Sequence, residues 1–250
     1  MKKLTKNNVR AMVIGGALVA ALAVGGTMAW FTATDSATNT FTVGNVTIDV
    51  PEPSWNPDTT TQVVPEDTYA KDPYVTLEAG SADSYAFIVV ETPQVTLTDG
   101  TASGGKTTTG NFAEIGEGED DAFVANKLGD GWVKVGALND YTEDGITYKR
   151  AVYAYGTASA MTKLTGAKNA DVKTATPLFT DVKINMLDQS ANAGKSYSIN
   201  VKGYAIQAEG IETAKGTTAV SASDVWTVLA TDMSTSTGAT VGNLQLVLDE

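Results

Sequence analysis

From Thr40 onward, short runs of β-branched and aromatic residues alternate with Gly, Asp, Asn, Ser and Thr. That spacing predicts a sandwich or barrel of about eight short strands, decorated by one or two short helices. Thr40–Val50 alternates, with Phe41, Val43, Val46, Ile48 and Val50 apolar and Gly44-Asn45 shifting the phase, as a bulge would. Pro51, Pro53, Pro57 and Pro65 withhold backbone donors and make 51–65 an extended loop. Tyr74–Leu77 reads as a short strand, Gly80–Asp83 as a turn, and Tyr85–Thr92 as the strongest strand, expected to be buried. The polar stretch 98–118 reads as a flexible insertion around a hairpin tip. Gly131–Val135 and Ile146–Tyr155 form a hairpin, with Trp132, Val133 and Val135 expected opposite Tyr148, Ala151, Val152 and Tyr153. Leu178–Met186 and Tyr197–Ala208 are further strands, and Leu244–Leu248 is a last strand or part of a frayed tail over 231–250. Two segments carry helical spacing: Asp120–Leu128, acidic at its start, and Ser221–Ala230, which Ser221 or Ser223 can cap.

The first 29 residues differ from the rest. Lys2, Lys3, Lys6 and Arg10 precede the uncharged stretch Ala11–Ala29, which ends in Thr27-Met28-Ala29. A basic start, an apolar middle and a small-residue exit describe a secretory signal helix cut between Ala29 and Trp30. The stretch also sits near the lower limit for a membrane-spanning helix, so an uncleaved anchor is the alternative. The expected organisation is a signal peptide over 1–29 and a single domain over 30–250, with 30–50 as an N-terminal strand.

Charge and composition narrow the function. Without the four basic residues of the leader, 13 basic side chains face 29 acidic ones, a net charge of −16. That opposes nucleic acid, whose phosphates need clustered Lys and Arg. The chain has no Cys and no His. No disulfide framework is available, and the commonest zinc ligand, general base and triad imidazole are missing together. An H-E-x-x-H motif is impossible, and neither G-x-S-x-G nor a phosphate loop occurs. The run Glu114, Glu117, Glu119, Asp120, Asp121 offers hard oxygens to a cation but lacks the spacing of a calcium loop, and a solvated connection explains it equally. Asp130, Asp140 and Asp144 read as turn residues. Trp55, Trp132, Trp226, Tyr85, Tyr153 and Tyr204 would suit a sugar platform, although their alternation favours core positions. No cofactor is expected.

Two blocks carry a family resemblance: Gly25-Gly26-Thr27-Met28-Ala29-Trp30-Phe31-Thr32, and Asp35-Ser36-Ala37-Thr38-Asn39-Thr40-Phe41-Thr42-Val43-Gly44-Asn45-Val46. Weaker echoes are Lys71-Asp72-Pro73-Tyr74-Val75, Tyr85–Val90, Thr176–Phe179 and Val201–Gln207. In these the chain resembles the exported Gram-positive proteins processed by a SipW-type signal peptidase, the TasA and camelysin group. The resemblance implies a secreted jelly-roll domain, found at the cell surface or in biofilm matrix, that forms a homopolymer by donating its N-terminal strand. Phe41, Val43, Val46 and Ile48 would then be the inserted side chains; the alternative is that this strand belongs to its own sheet. Contact with a membrane would run only through an uncleaved signal. Camelysins are described as metalloproteases, which gives the enzyme alternative, with Glu117, Glu119, Asp120 and Asp121 the weak metal candidates. A monomeric adhesin or carbohydrate-binding module is the third reading.

Overall fold

The computed structural model describes residues 32–35, 46–54, 63–99, 106–115, 128–237 and 245–246. The signal helix, the Ala29–Trp30 junction, Phe41, Val43, the Gly44-Asn45 phase shift, Trp55 and the acids Glu117, Glu119, Asp120 and Asp121 lie outside them. So does the helix expected at 120–128, apart from Leu128, which is not helical.

Thirteen strands are described: β1 Thr32–Asp35, β2 Ile48–Asp49, β3 Thr68–Ala70, β4 Thr76–Leu77, β5 Ser84–Thr98, β6 Thr107–Asn111, β7 Ala113–Glu114, β8 Trp132–Glu143, β9 Ile146–Tyr155, β10 Lys163–Leu164, β11 Val172–Lys173, β12 Asp181–Ile184 and β13 Asn200–Gln207. Three helices accompany them: α1 Gln189–Asn192, α2 Ala208–Lys215 and α3 Ala222–Thr237. The all-β expectation holds, and the strands build a sandwich. Its main sheet runs β1-β13-β5-β9-β8, with β6 and β10 also on β5; β11-β4-β2 and β3-β12-β7 form two smaller sheets.

Strand β5 organises the core. Its first ten residues are all buried, as an apolar run covered on both faces requires. Ala86, Ile88 and Val90 face the small sheets, among Val46, Ile48, Val75, Leu77, Phe112, Val182 and Ile184. Tyr85, Phe87 and Val89 face the helices, among Ile211, Val225, Trp226 and Leu229. Phe87 meets Trp226 edge-on at 5.1 Å, the arrangement that the ring quadrupoles favour. Pro93 sits where one edge of β5 changes partner: pairing with β13 ends at Glu91, and pairing with β6 begins at Gln94. A residue without an N–H costs least at such a junction.

Several elements differ from expectation. The 98–118 insertion contains β6 and β7, because its threonines are β-branched and pair with Gln94–Thr98. The β8–β9 hairpin is longer than its apolar core, and Trp132 faces Tyr155 rather than Tyr153. Helix α3 runs to Thr237, so 231–237 is helical rather than a frayed tail. Ser221 caps it: its Oγ accepts from the Asp224 N–H at 3.2 Å and donates to Asp224 Oδ2 at 2.9 Å. Lys215 lies 2.6 Å from the same carboxylate and, with Ser221, holds its pKa below the usual Asp value. Helix α2 was not expected. Its only large buried side chain is Ile211, too few for a readable stripe. Its end signal was nonetheless present, since Gly216 takes φ +65° and donates to the Glu212 and Thr213 carbonyls.

Candidate assembly edge

Residues 46–54 follow ten residues after β1, and every part of the segment is fastened to its own chain. Val46 and Ile48 are 2% and 6% exposed and belong to the core between the sheets. Ile48 pairs with Leu77 and Asp49 with Thr76. Thr47 donates from its N–H to Ser81 Oγ at 3.1 Å, and its carbonyl accepts from the Glu78 N–H at 2.9 Å. The Pro51 carbonyl accepts from Tyr74 at 3.2 Å. Glu52 pairs with the buried Lys71 at 2.6 Å, and Ser54 donates to both oxygens of Asp72 at 2.7 and 2.9 Å. Gly203 on β13 makes room for this segment, because a Cβ there would lie 2.3 Å from Val50 Cγ2.

Strand β1 is held differently. It pairs antiparallel with β13 over four positions, Thr32 with Ile206, Ala33 with Ala205, Thr34 with Tyr204 and Asp35 with Gly203. It contacts α3 and β2 and is the terminal strand of the main sheet. β13 itself is a regular template: its eight residues pair with Ser84–Glu91 without a register shift. Removing β1 would leave the outer N–H and C=O groups of β13 unpaired beside the α3 and β2 layers, a ready acceptor for a strand.

The sheet also carries a polar cluster that sequence reasoning missed. Glu91, 3% exposed, accepts from Tyr141 Oη at 2.8 Å, from Asn200 Nδ2 at 3.2 Å and from Lys202 Nζ at 2.8 Å. Tyr141 stacks on Tyr148 at 5.1 Å, and the Arg150 guanidinium lies 5.5 Å from its ring centre. Burial, then the bond to Glu91, pushes the Tyr141 hydroxyl pKa up. Four strands supply these residues, three of them at matched register, Asn200 to Glu91 to Arg150, which no local sequence signal reveals. Both oxygens of this buried carboxylate find donors, so the cluster reads as structural.

The remaining candidates do not converge. Asp140 pairs with Lys149 at 2.6 Å, Asp144 takes the turn conformation at φ +50°, and the Asp130 carbonyl accepts from Thr176. Trp132, Trp226, Tyr85 and Tyr153 are core, and Tyr204 rests edge-on against Trp226 at 5.8 Å, so these form no sugar platform. Tyr85 donates to Glu212 Oε1 at 2.8 Å, where Lys163 also binds at 3.0 Å. The bond from Tyr85, then Lys163, lowers the Glu212 pKa.

Comparison with known proteins gives one match. Residues 4–104 fit the family described as Camelysin metallo-endopeptidase. No curated protein and no solved structure matches the chain. The family's description implies a catalytic metal, and among the described residues no donor set fits one. The chain has no His or Cys, and among the described residues no group of three or more Asp or Glu could hold an ion. Also among the described residues, no helix is long and apolar enough to cross a membrane. Over residues 4–104, which take in β1 to β5 and the fastened 46–54 segment, the chain is thus similar to the camelysin family, a family of surface or secreted proteins.

Proposed function

We propose that this protein is an exported structural subunit that polymerises by exchanging β1 between copies. The observation that carries the reading is the contrast across residues 32–54. Residues 46–54 are built into the core and ion pairs of their own chain, whereas β1 adds four residues to one sheet edge. The donated element is therefore Thr32–Asp35 and what precedes it, rather than Val46 and Ile48, which cannot leave without opening the core. Backbone hydrogen bonds contribute about 1 kcal/mol each net, so a four-residue pairing is a weak latch within one molecule. Ten residues separate Asp35 from Val46, a contour of about 35 Å when extended, enough to reach an adjacent copy. The new pairing repeats the old one, and a head-to-tail contact that does not close yields a filament. Cleavage after Ala29 by a SipW-type peptidase would free the strand. Proteolysis is not favoured, because the donor set for zinc is missing.

The test uses the absence of native cysteine. In protein beginning at Trp30, Ala33→Cys with Ala205→Cys places thiols at partnered positions. Oxidation under assembling conditions should yield a ladder of covalent multimers, with fibres visible by electron microscopy. Intramolecular disulfide alone, at every concentration, would refute exchange and leave a monomeric surface domain.

A further inference from the structure

The two edges of the main sheet are built differently. Strand β8, at the far edge from β1, runs twelve residues and is the longest strand after β5. Among the described residues no strand pairs with its outer side. A long open edge of this kind is a template for pairing with any other chain. Yet its register against β9 breaks twice. Lys134 faces Tyr153 and Gly136 faces Val152, which leaves Val135 as an extra residue. Leu138 faces Arg150 and Tyr141 faces Tyr148, so three steps on β8 match two on β9 and a second residue is extra at Asn139-Asp140. Both insertions lie on the edge strand, neither on its partner.

The second bulge is held in place from three sides. Arg150 Nε donates to the Asn139 carbonyl at 2.6 Å, Lys149 pairs with Asp140 at 2.6 Å, and Tyr141 Oη donates to Glu91 at 2.8 Å. The bulge is what lets Tyr141 reach Glu91 while Leu138 stays in the core under the helices. Each bulge breaks the even spacing of outward N–H and C=O groups and turns the strand. An incoming strand could match only the pieces 132–134, 136–138 and 141–143 in register, each three residues long. It would also cover the Asp140–Lys149 pair. No such break occurs along β13.

We propose that the β8 edge is closed to strand addition by its two bulges, so that the sheet accepts a second copy of this chain at the β13 edge alone. Closure of β8 stands without the exchange reading; that growth occurs at β13 rests on it. The test is amide hydrogen exchange on the chain beginning at Trp30, dilute and assembled. The amides of 132–143 that do not bond β9 should exchange equally fast in both states, and protection gained there on association would overturn the proposal. A second measurement uses the Ala33→Cys, Ala205→Cys chain purified as the disulfide-locked monomer, which cannot exchange β1. Deleting Asn139 from it removes the second bulge, leaves 136–143 as one continuous stretch in register with β9, and should produce concentration-dependent dimers by light scattering. A deletion variant that stays folded and monomeric would show that the bulge is not what closes the edge. Failure of the exchange reading shows separately, as an absence of intermolecular disulfide.

Discussion

Ile48→Ala separates a core residue from a donated one. Ile48 is 6% exposed, packs among Val46, Val75 and Leu77, and its Cδ1 lies within 3.5 Å of where a Gly203 Cβ would stand. Truncating a buried Ile to Ala costs about 2–5 kcal/mol. The site lies on a two-residue strand that ends its sheet, where neighbours can relax into the space, so the lower part of that range applies, about 2–3 kcal/mol. For a domain of this size each kcal/mol moves the melting temperature by about 2–4 °C, giving a fall of about 5–10 °C. Dilute protein beginning at Trp30, kept monomeric, would be unfolded in urea and followed by tryptophan fluorescence, since Trp226 and Trp132 are both buried. The midpoint should fall with its slope unchanged, the signature of lost stability rather than altered compactness. An unchanged midpoint with lost polymerisation would refute the argument and return Ile48 to the donated strand.

Gly203→Val should destabilise by about 1–3 kcal/mol through the clash with Val50 Cγ2, and Val50→Ala in the same chain should restore much of it; additive losses in urea titrations would contradict that contact. Lys71→Met leaves the half-buried Glu52 without its cation, with one oxygen already lacking a partner, and should cost about 1–3 kcal/mol. The double change Lys71→Met with Glu52→Leu should recover much of that in the same assay. Burial, then the charge of Glu91, pushes the Tyr204 hydroxyl up to about 12. Its raised folded value means its stabilising contribution is complete below the unfolded pKa of about 10 and is lost as pH rises toward 12. Urea midpoints should therefore decline across that window, less steeply for Tyr204→Phe, and equal slopes would contradict the assignment.

Much of the fold was legible because strands announce themselves by local pattern. Tyr85–Val90 is an unbroken run of apolar residues, aromatic or β-branched but for Ala86, and a short run of that kind reads as a buried strand. The hairpin at 132–155 has two such runs joined at Asp144-Gly145, both with positive φ, the conformation that a tight turn asks of these residue types. Ser221 announced a helix because its hydroxyl acts within one turn. β1 was different. Thr-Ala-Thr-Asp has neither length nor an apolar face, and it is a strand only because β13 offers an edge.

By itself, then, the sequence determined an all-β sandwich, the absence of His and Cys as metal donors, and a family likeness in the first two-fifths of the chain. Only the tertiary structure decided which N-terminal residues are core and which are edge. Val46 and Ile48 alternate as any amphipathic strand would, and periodicity cannot say whose core they fill. That answer came from Leu77, Ser81, Lys71 and Gly203, residues that are neighbours only after folding. The closure of β8 has the same origin. A bulge is a mismatch between two strands, so it exists in their register and not in the sequence of either one.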